Sequence, residues 1–470
     1  MYIIVNPENE ASMTRIWAET ALLGEGWAND VVVEVGDDGT IVKVLEDVGR
    51  DEAKAGHHVG ALLPAPANLH SHAFQRAMAG LSERRGPGAH DTFWTWREIM
   101  YRFLGAFTPQ AIEDVAAFVQ MEMLEAGYAA SVEFHYVHNQ ADGTPYDDPA
   151  ELSRRIAAAA RTSGVGLTLL PVYYATGGLD GRPLAGGQLR FRSDLDAFAR
   201  IVAGAEEAVA GLPADAALGI APHSLRAVPA DALGELVRMK PGAPLHMHIA
   251  EQTGEVEEVL AHHGARPVEW LFANHDVDER WCLIHCTHLS DGERRSIATS
   301  GAVAGLCPIT ESSLGDGIFD GARYLDEGGT LGVGSDSNIR IALSEEMRTL
   351  EYSQRLRDRH RAVLATKERS CGRRLFDEVV KGGARAAGRA SGAIREDAFA
   401  DLVALDRACL DLDGLSGDTM LDAWIFAGDD RAVAEVWAAG RHVVSGGRHV
   451  RRDAIEARYR AAMKMLRAAL

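Results

Sequence analysis

Cysteine is scarce in this sequence. The five cysteines among 470 residues (Cys282, Cys286, Cys307, Cys371 and Cys409) are too few, and odd in number, for a disulfide framework, so reduced thiols are expected. Cys282 and Cys286 lie four apart, but no second cysteine pair completes a zinc knuckle, and core packing is the expected role of both. No apolar run reaches the roughly 18 residues of a membrane span. Met1-Tyr-Ile-Ile-Val lacks the basic-then-apolar pattern of a secretory leader, so the cytoplasm is the expected compartment. Positive charge is also in deficit: 48 Lys and Arg against 68 Asp and Glu leave a net charge of −20. A field of that sign disfavours nucleic acid and membrane surfaces as partners. A small anionic substrate stays open, because a few arginines can reverse the potential inside a pocket. There is no nucleotide-loop glycine motif, coiled coil or low-complexity tract.

What is present is a long patterned middle between two strand-rich ends. Val31-Val-Val-Glu-Val runs into Gly36-Asp-Asp-Gly39 and then Ile41-Val-Lys-Val, the pattern of a hairpin. The same texture returns in Asp401–Leu405, Val433–Trp437 and Val443-Val444. One small β domain built from both ends is expected. The middle repeats short apolar runs followed by amphipathic helical stretches. The runs are Leu62–Leu69, Ala130–Phe134, Leu167–Val172, Leu218–Ala221, Pro244–Ile249, Trp281–Ile284, Ala302–Leu306 and Leu331–Val333. One helix is plain: Thr108 can cap it, Pro109 suits its first turn, Ile112, Val115, Val119 and Met123 share a face, and Gly127 stops it. Eight alternating units imply an α/β fold, a (β/α)8 TIM-like barrel. The expected division is residues 1–62 and 391–470, the latter with a terminal helix, forming a β-sandwich domain around a barrel of residues 63–390.

In such barrels the C-terminal ends of the strands carry the active site. The residues after the runs are Asn68-Leu-His70-Ser-His72, Glu133-Phe-His135-Tyr136, Pro222-His223-Ser-Leu-Arg226, His246-Met-His248-Ile-Ala-Glu251, His285-Cys-Thr-His288 and Ser335-Asp336. Histidine or carboxylate recurs at one end of strand after strand. In His70-x-His72 both side chains point to one side of an extended segment, so both imidazoles can reach one ion. A further imidazole and a carboxylate would leave a position for water, whose pKa falls on the metal. His246 points to the other side of its strand and is expected to pack. His135, His138 and His288 are open. His57, His58, His90, His262, His263 and His275 are read as solvated loop or helix positions.

This pattern resembles the amidohydrolase superfamily, specifically its mononuclear deaminase branch, over nearly the whole chain. The resemblance implies metal ligands at His70, His72, His248 and Asp336, a proton shuttle at Glu251, and His285 beside the nucleophilic water with Asp336. Binuclear members carry a bridging lysine, commonly at the end of strand four; Pro222-His223-Ser224 stands there, which favours one divalent ion. Imidazole-rich sites suit zinc. Asn68–Arg76, Thr92–Arg97, Val132–Tyr136, Ala221–Arg226, His246–Gln252 and Cys307–Gly317 resemble more closely the formimidoylglutamate deiminase family of histidine degradation. That resemblance implies substrate contacts at Gln75, Arg97, Tyr136, His223 and Arg226, and a homodimer.

The expected reaction is hydrolytic deimination of N-formimino-L-glutamate to N-formyl-L-glutamate and ammonia. An aminohydrolase of a purine, pterin or guanidino compound is the alternative within enzymes; it would call for stacking aromatics in place of paired arginines. A barrel that has lost catalysis would show gaps in the ligand set, and there are none.

Overall fold

Both ends of the chain are drawn into one sheet. The computed structural model describes residues 13–83 and 93–469, with the side chains of residues 93–98 outside that description. Strand Thr14–Leu23 pairs antiparallel with Gly26–Val35, which pairs antiparallel with Ile41–Leu45 around the Gly36–Gly39 turn. Gly39 has φ +81°, and a Cβ there would lie 2.3 Å from the carbonyl oxygen of Ala439. The hairpin tip can therefore meet the C-terminal strands only through glycine. Strand His57–Pro64 runs parallel to Thr14–Leu23 and antiparallel to Leu402–Leu405, with Pro64 opposite Leu402. Val433–Ala438, Arg441–Ser445 and Arg448–His449 complete a sheet of eight strands. Ile16, Val31, Val33, Leu62, Leu402 and Trp437 form its buried interior.

The middle of the chain forms two arcs of parallel strands. One contains Ala67–Ser71, Ala130–His135, Gly166–Tyr173 and the short pieces Ala217–Leu218 and Ala221–Pro222. The other contains Leu245–Ile249, Trp281–His285, Val303–Leu306 and Thr330–Val333. Isolated parallel bridges, Ser71 with Asp336 and Ile220 with Leu245, join the arcs at both margins. Nearly every residue of these strands is buried, because helices cover the outer face and side chains fill the inner one. The helix expected after Thr108 runs Pro109–Glu125, and the Thr108 side chain accepts from Ala111 N–H. No described helix is long and apolar enough to cross a membrane.

Two strand expectations need correction. The run Leu62–Leu69 is not one strand: Leu62–Pro64 ends a strand of the eight-stranded sheet, and the parallel arc begins at Ala67. Pro64 and Pro66 donate no backbone N–H, so the ladder cannot continue through them and the chain changes sheets. His57 and His58 lie on that same strand, not in a loop, and the His57 ring packs edge-on against Trp437, 5.5 Å between centroids. His90 lies outside the described residues.

A buried ion cluster ties the arcs to the eight-stranded sheet. Arg389, its side chain 1% exposed, reaches Asp215 and Asp401 at 3.0 Å each, and Arg441 reaches Asp215 at 2.7 Å. Removing one partner of such a cluster leaves buried charge uncompensated. Arg389→Ala is expected to destabilise the fold by about 3–5 kcal/mol, read as a lower urea midpoint; an unchanged midpoint would show that the cluster does not hold the two parts together.

Candidate active site

The C-terminal ends of the parallel strands converge on one open-mouthed cavity. His70 and His72 come from the end of Ala67–Ser71, His248 from Leu245–Ile249, His285 from Trp281–His285, and Asp336 from the turn after Thr330–Val333. Several of these turns are strained. Ala250 (φ +53°), His285 (φ +72°) and Asp336 (φ +46°) lie in the left-handed region, where a Cβ is unfavourable. Strain of this kind collects where surrounding structure must aim a side chain.

The aim is tight. His70 Nε2 lies 3.0 Å from His248 Nε2, and Asp336 Oδ1 lies 3.3 Å from His72 Nε2 and 3.6 Å from His70 Nε2. The Nδ1 atoms of His72 and His248 face the carbonyls of Phe134 (3.0 Å) and His223 (3.1 Å). Those bonds require the ring hydrogen on Nδ1, so both Nε2 atoms present lone pairs. Burial pushes His72 down to about 3, and burial with the neighbouring rings holds His70 and His248 well below the ordinary range. The rings are therefore neutral. Electron-rich atoms that face one another in this way suit a cation: ligands about 2.0–2.1 Å from zinc in a tetrahedron stand about 3.3 Å apart. The residues present fit one zinc-class ion.

Glu251 and His285 border this cage. His285 Nε2 lies 3.8 Å from Glu251 Oε1 and 4.0 Å from Asp336 Oδ2. Burial opposes charge on His285, but Glu251, Glu311 and Asp336 outweigh it and raise the ring to about 10. Burial lifts Asp336 to about 7, against the pull of His285. A dication among the ligands would lower both. On the far side, His285 Nδ1 meets Glu311 Oε1 at 3.2 Å, and the same oxygen accepts from Cys307 N–H at 2.8 Å. Glu255 Oε2 accepts from the Glu251 backbone N–H at 3.0 Å. Sequence reasoning gave no role to Glu311 or Glu255; the only signal was the position of Glu311 inside the Cys307–Gly317 motif.

Gln75, Tyr136, His223 and Arg226 line the same cavity as the cage. Gln75 Nε2 donates to Tyr136 Oη at 2.7 Å. Arg97 falls in the helix Phe93–Ala106, and its side chain lies outside the described residues. Among the described residues, Met100, Tyr174, Phe191, Thr310, Leu314 and Ser337 also line the cavity and were not anticipated. His246 turns away and bonds Ala386 O at 2.8 Å, as expected of a packing residue. His138 and His288 bond the carbonyls of Val172 and Asp316.

Comparison with known proteins follows the same lines. The profile described as Amidohydrolase family matches residues 61–443, and that described as Formimidoylglutamate deiminase HutF, N-terminal domain, matches residues 13–57. The chain is 47% identical over 93% of its length, and 96% of the relative's, to formimidoylglutamate deiminase of Pseudomonas aeruginosa. It superposes on an amidohydrolase from Brucella melitensis at 47% identity and TM-score 0.92, covering 96% of this chain and 99% of that one. An adenosine deaminase from Xanthomonas campestris with bound zinc matches at 21% identity and TM-score 0.80, over 97% and 98% of the two chains, a likeness of fold.

The cage should be detectable without any substrate. Zinc added to metal-free protein is expected to raise the thermal midpoint, because a ligand that binds only the folded state stabilises it. His248→Ala should abolish most of that rise, while His246→Asn, two positions along the same strand, should keep it. Equal loss in both variants would refute the placement of the cage.

Proposed function

This chain belongs to the amidohydrolase family, and we propose on that premise that it hydrolyses N-formimino-L-glutamate to N-formyl-L-glutamate and ammonia. The observation that carries the reading is the meeting, in one cavity, of a neutral imidazole cage with Glu251, His285 and the polar group Gln75, Tyr136, His223 and Arg226. We read the two arcs as a closed (β/α)8 barrel of residues 63–390, and the two-ended sheet as its β-sandwich companion. His70, His72, His248 and Asp336 would hold one zinc ion. His223 stands where a bridging lysine would be needed for a second, and no lysine lines the cavity among the described residues. When bound, the ion lowers the pKa of its water towards neutrality.

The residues then divide the proton work. Asp336 and His285 face the cage from two strands and accept the proton that the attacking water loses. The new C–O bond forms at the amidine carbon. Glu251 gives one proton to the imine nitrogen, and the proton taken from the water passes to the same nitrogen as its C–N bond breaks; the hydroxyl proton returns to Glu251 as the formyl C=O forms, and ammonia leaves carrying two added protons. Glu311, bonded to His285 Nδ1, sets the ring's orientation. Arg226 and Arg97 each meet one substrate carboxylate, with Gln75, Tyr136 and His223 adding hydrogen bonds. A glutamyl substrate carries two negative charges into a chain of net charge −20, and leaving those carboxylates unpaired would be costly. Arginine's planar fork suits a carboxylate.

Ammonia release measured across formimino, guanidino, purine and pterin compounds tests the substrate class. N-formimino-L-glutamate is expected to be the best substrate and formimino-aspartate a poorer one, because the anchors are set for the longer chain. A purine that outcompetes it would overturn the reading in favour of a ring aminohydrolase. Glu251→Gln is expected to keep zinc and lose about 10²–10⁴-fold in kcat; near wild-type turnover would remove Glu251 from the proton path. Arg226→Ala is expected to lower kcat/KM at least tenfold with zinc content unchanged, and wild-type kcat/KM in that variant would exclude Arg226 as a carboxylate anchor.

A further inference from the structure

Behind the cage lies a ring of uncharged polar side chains, open between Ser71 and Asn68 and all with 0% exposure: Asn68, Ser71, Ser335 and Asn338. Asn68 Nδ2 donates to Ser335 Oγ at 2.7 Å, and Asn68 Oδ1 accepts from Ser335 N–H at 3.1 Å and His70 N–H at 3.4 Å. Ser335 Oγ donates onward to Asn338 Oδ1 at 2.6 Å. Asn338 Nδ2 returns to Ser71 Oγ at 3.2 Å and to Asp336 O at 3.0 Å. The backbone closes the same gap: Asp336 N–H donates to His70 O and His72 N–H to Asp336 O, both at 2.9 Å. Each member lies within two residues of a proposed ligand, His70, His72 or Asp336.

The arrangement is specific to its residue types. Ser335 offers Asn68 a backbone donor and a hydroxyl acceptor at once, which only an amide can match. Asn338 sits at φ +56°, a conformation that asparagine tolerates better than most residues. The ring spans the seam where the first and last parallel strands meet, Ser71 beside Asp336. Beside the two backbone bonds, the ring links across this seam the strand end that bears His70 and His72 to the turn that bears Asp336.

We propose that Asn68 is a positioning residue for the metal cage: through Ser335 and Asn338 it sets the distance between the two strand-one imidazoles and Asp336. The proposal rests on the metal reading above. Outer partners of metal ligands commonly contribute about 10–100-fold to affinity, and here one side chain serves ligands on two strands.

The test uses zinc-loaded protein and follows zinc release to a chromogenic chelator, with the visible spectrum of the cobalt(II)-substituted protein as a second readout of ligand geometry. Asn68→Ala is expected to release zinc at least tenfold faster and to change the cobalt band shape. Thr168→Ala is the control, since it removes an equally buried bond, to Ala387 O at 2.8 Å, on a strand outside the cage. It should lower the thermal midpoint while leaving zinc release and the cobalt spectrum unchanged. If Asn68→Ala does not fold, Asn338→Gly keeps the left-handed backbone, cuts the ring at another point and should give the same acceleration. Wild-type release from a folded ring variant, or equal acceleration in Thr168→Ala, overturns the proposal. Wild-type protein that binds no zinc overturns instead the metal reading beneath it.

Discussion

Desolvation of imidazole is the constraint from which the rest of this structure follows. Removed from water, His70, His72 and His248 cannot hold protons, yet the Nε2 atoms of His70 and His248 lie 3.0 Å apart and that of His72 lies 3.3 Å from Asp336. Such a group is unfavourable alone and favourable around a cation. Carbonyls of the chain pin two of the rings by Nδ1, so the tautomer is decided by the fold and not by the ion. A charge at the centre of the cage in turn governs the acidity of its neighbours. The surrounding carboxylates raise His285; a cation in the cage would lower both His285 and Asp336, as the proposed proton transfer requires.

The architecture supplies this arrangement at low cost in loop length. Parallel strands deliver their C-terminal ends to one place, so each needs only a one- or two-residue turn to aim a side chain. The left-handed residues Ala250, His285 and Asp336 are those turns. Bonds from outside the cage hold them there: Glu255 on the Glu251 backbone, Glu311 on the His285 ring, and the ring through Asn68 behind Asp336. The eight-stranded sheet stands apart from this chemistry and is fastened to the arcs by Arg389 and its two aspartates.

Much of this was legible in the chain itself. His70, His72, His248, His285 and Asp336 each follow an apolar run, and the position after a buried parallel strand is a place in space as well as in sequence. Gln75, Tyr136, His223 and Arg226 were named through resemblance, and the structure brings all four to the cavity. Glu311 was harder to see, because a glutamate in the first turn of a short helix reads as ordinary helix chemistry. Its link to His285, 26 residues away, exists only once two strands lie side by side. The aromatic wall of Tyr174 and Phe191 was missed for the same reason: its members come from separate elements. The division of Leu62–Leu69 was signalled by Pro64 and Pro66, but apolar continuity hid the change of sheet.

The central claim is that a single ion in the cage is sufficient for turnover. Metal-free protein titrated with zinc, while ammonia release from N-formimino-L-glutamate is followed, tests it directly. Activity should rise linearly and break at one equivalent of zinc per chain. A break at two equivalents, or full activity before any metal is added, would contradict the account.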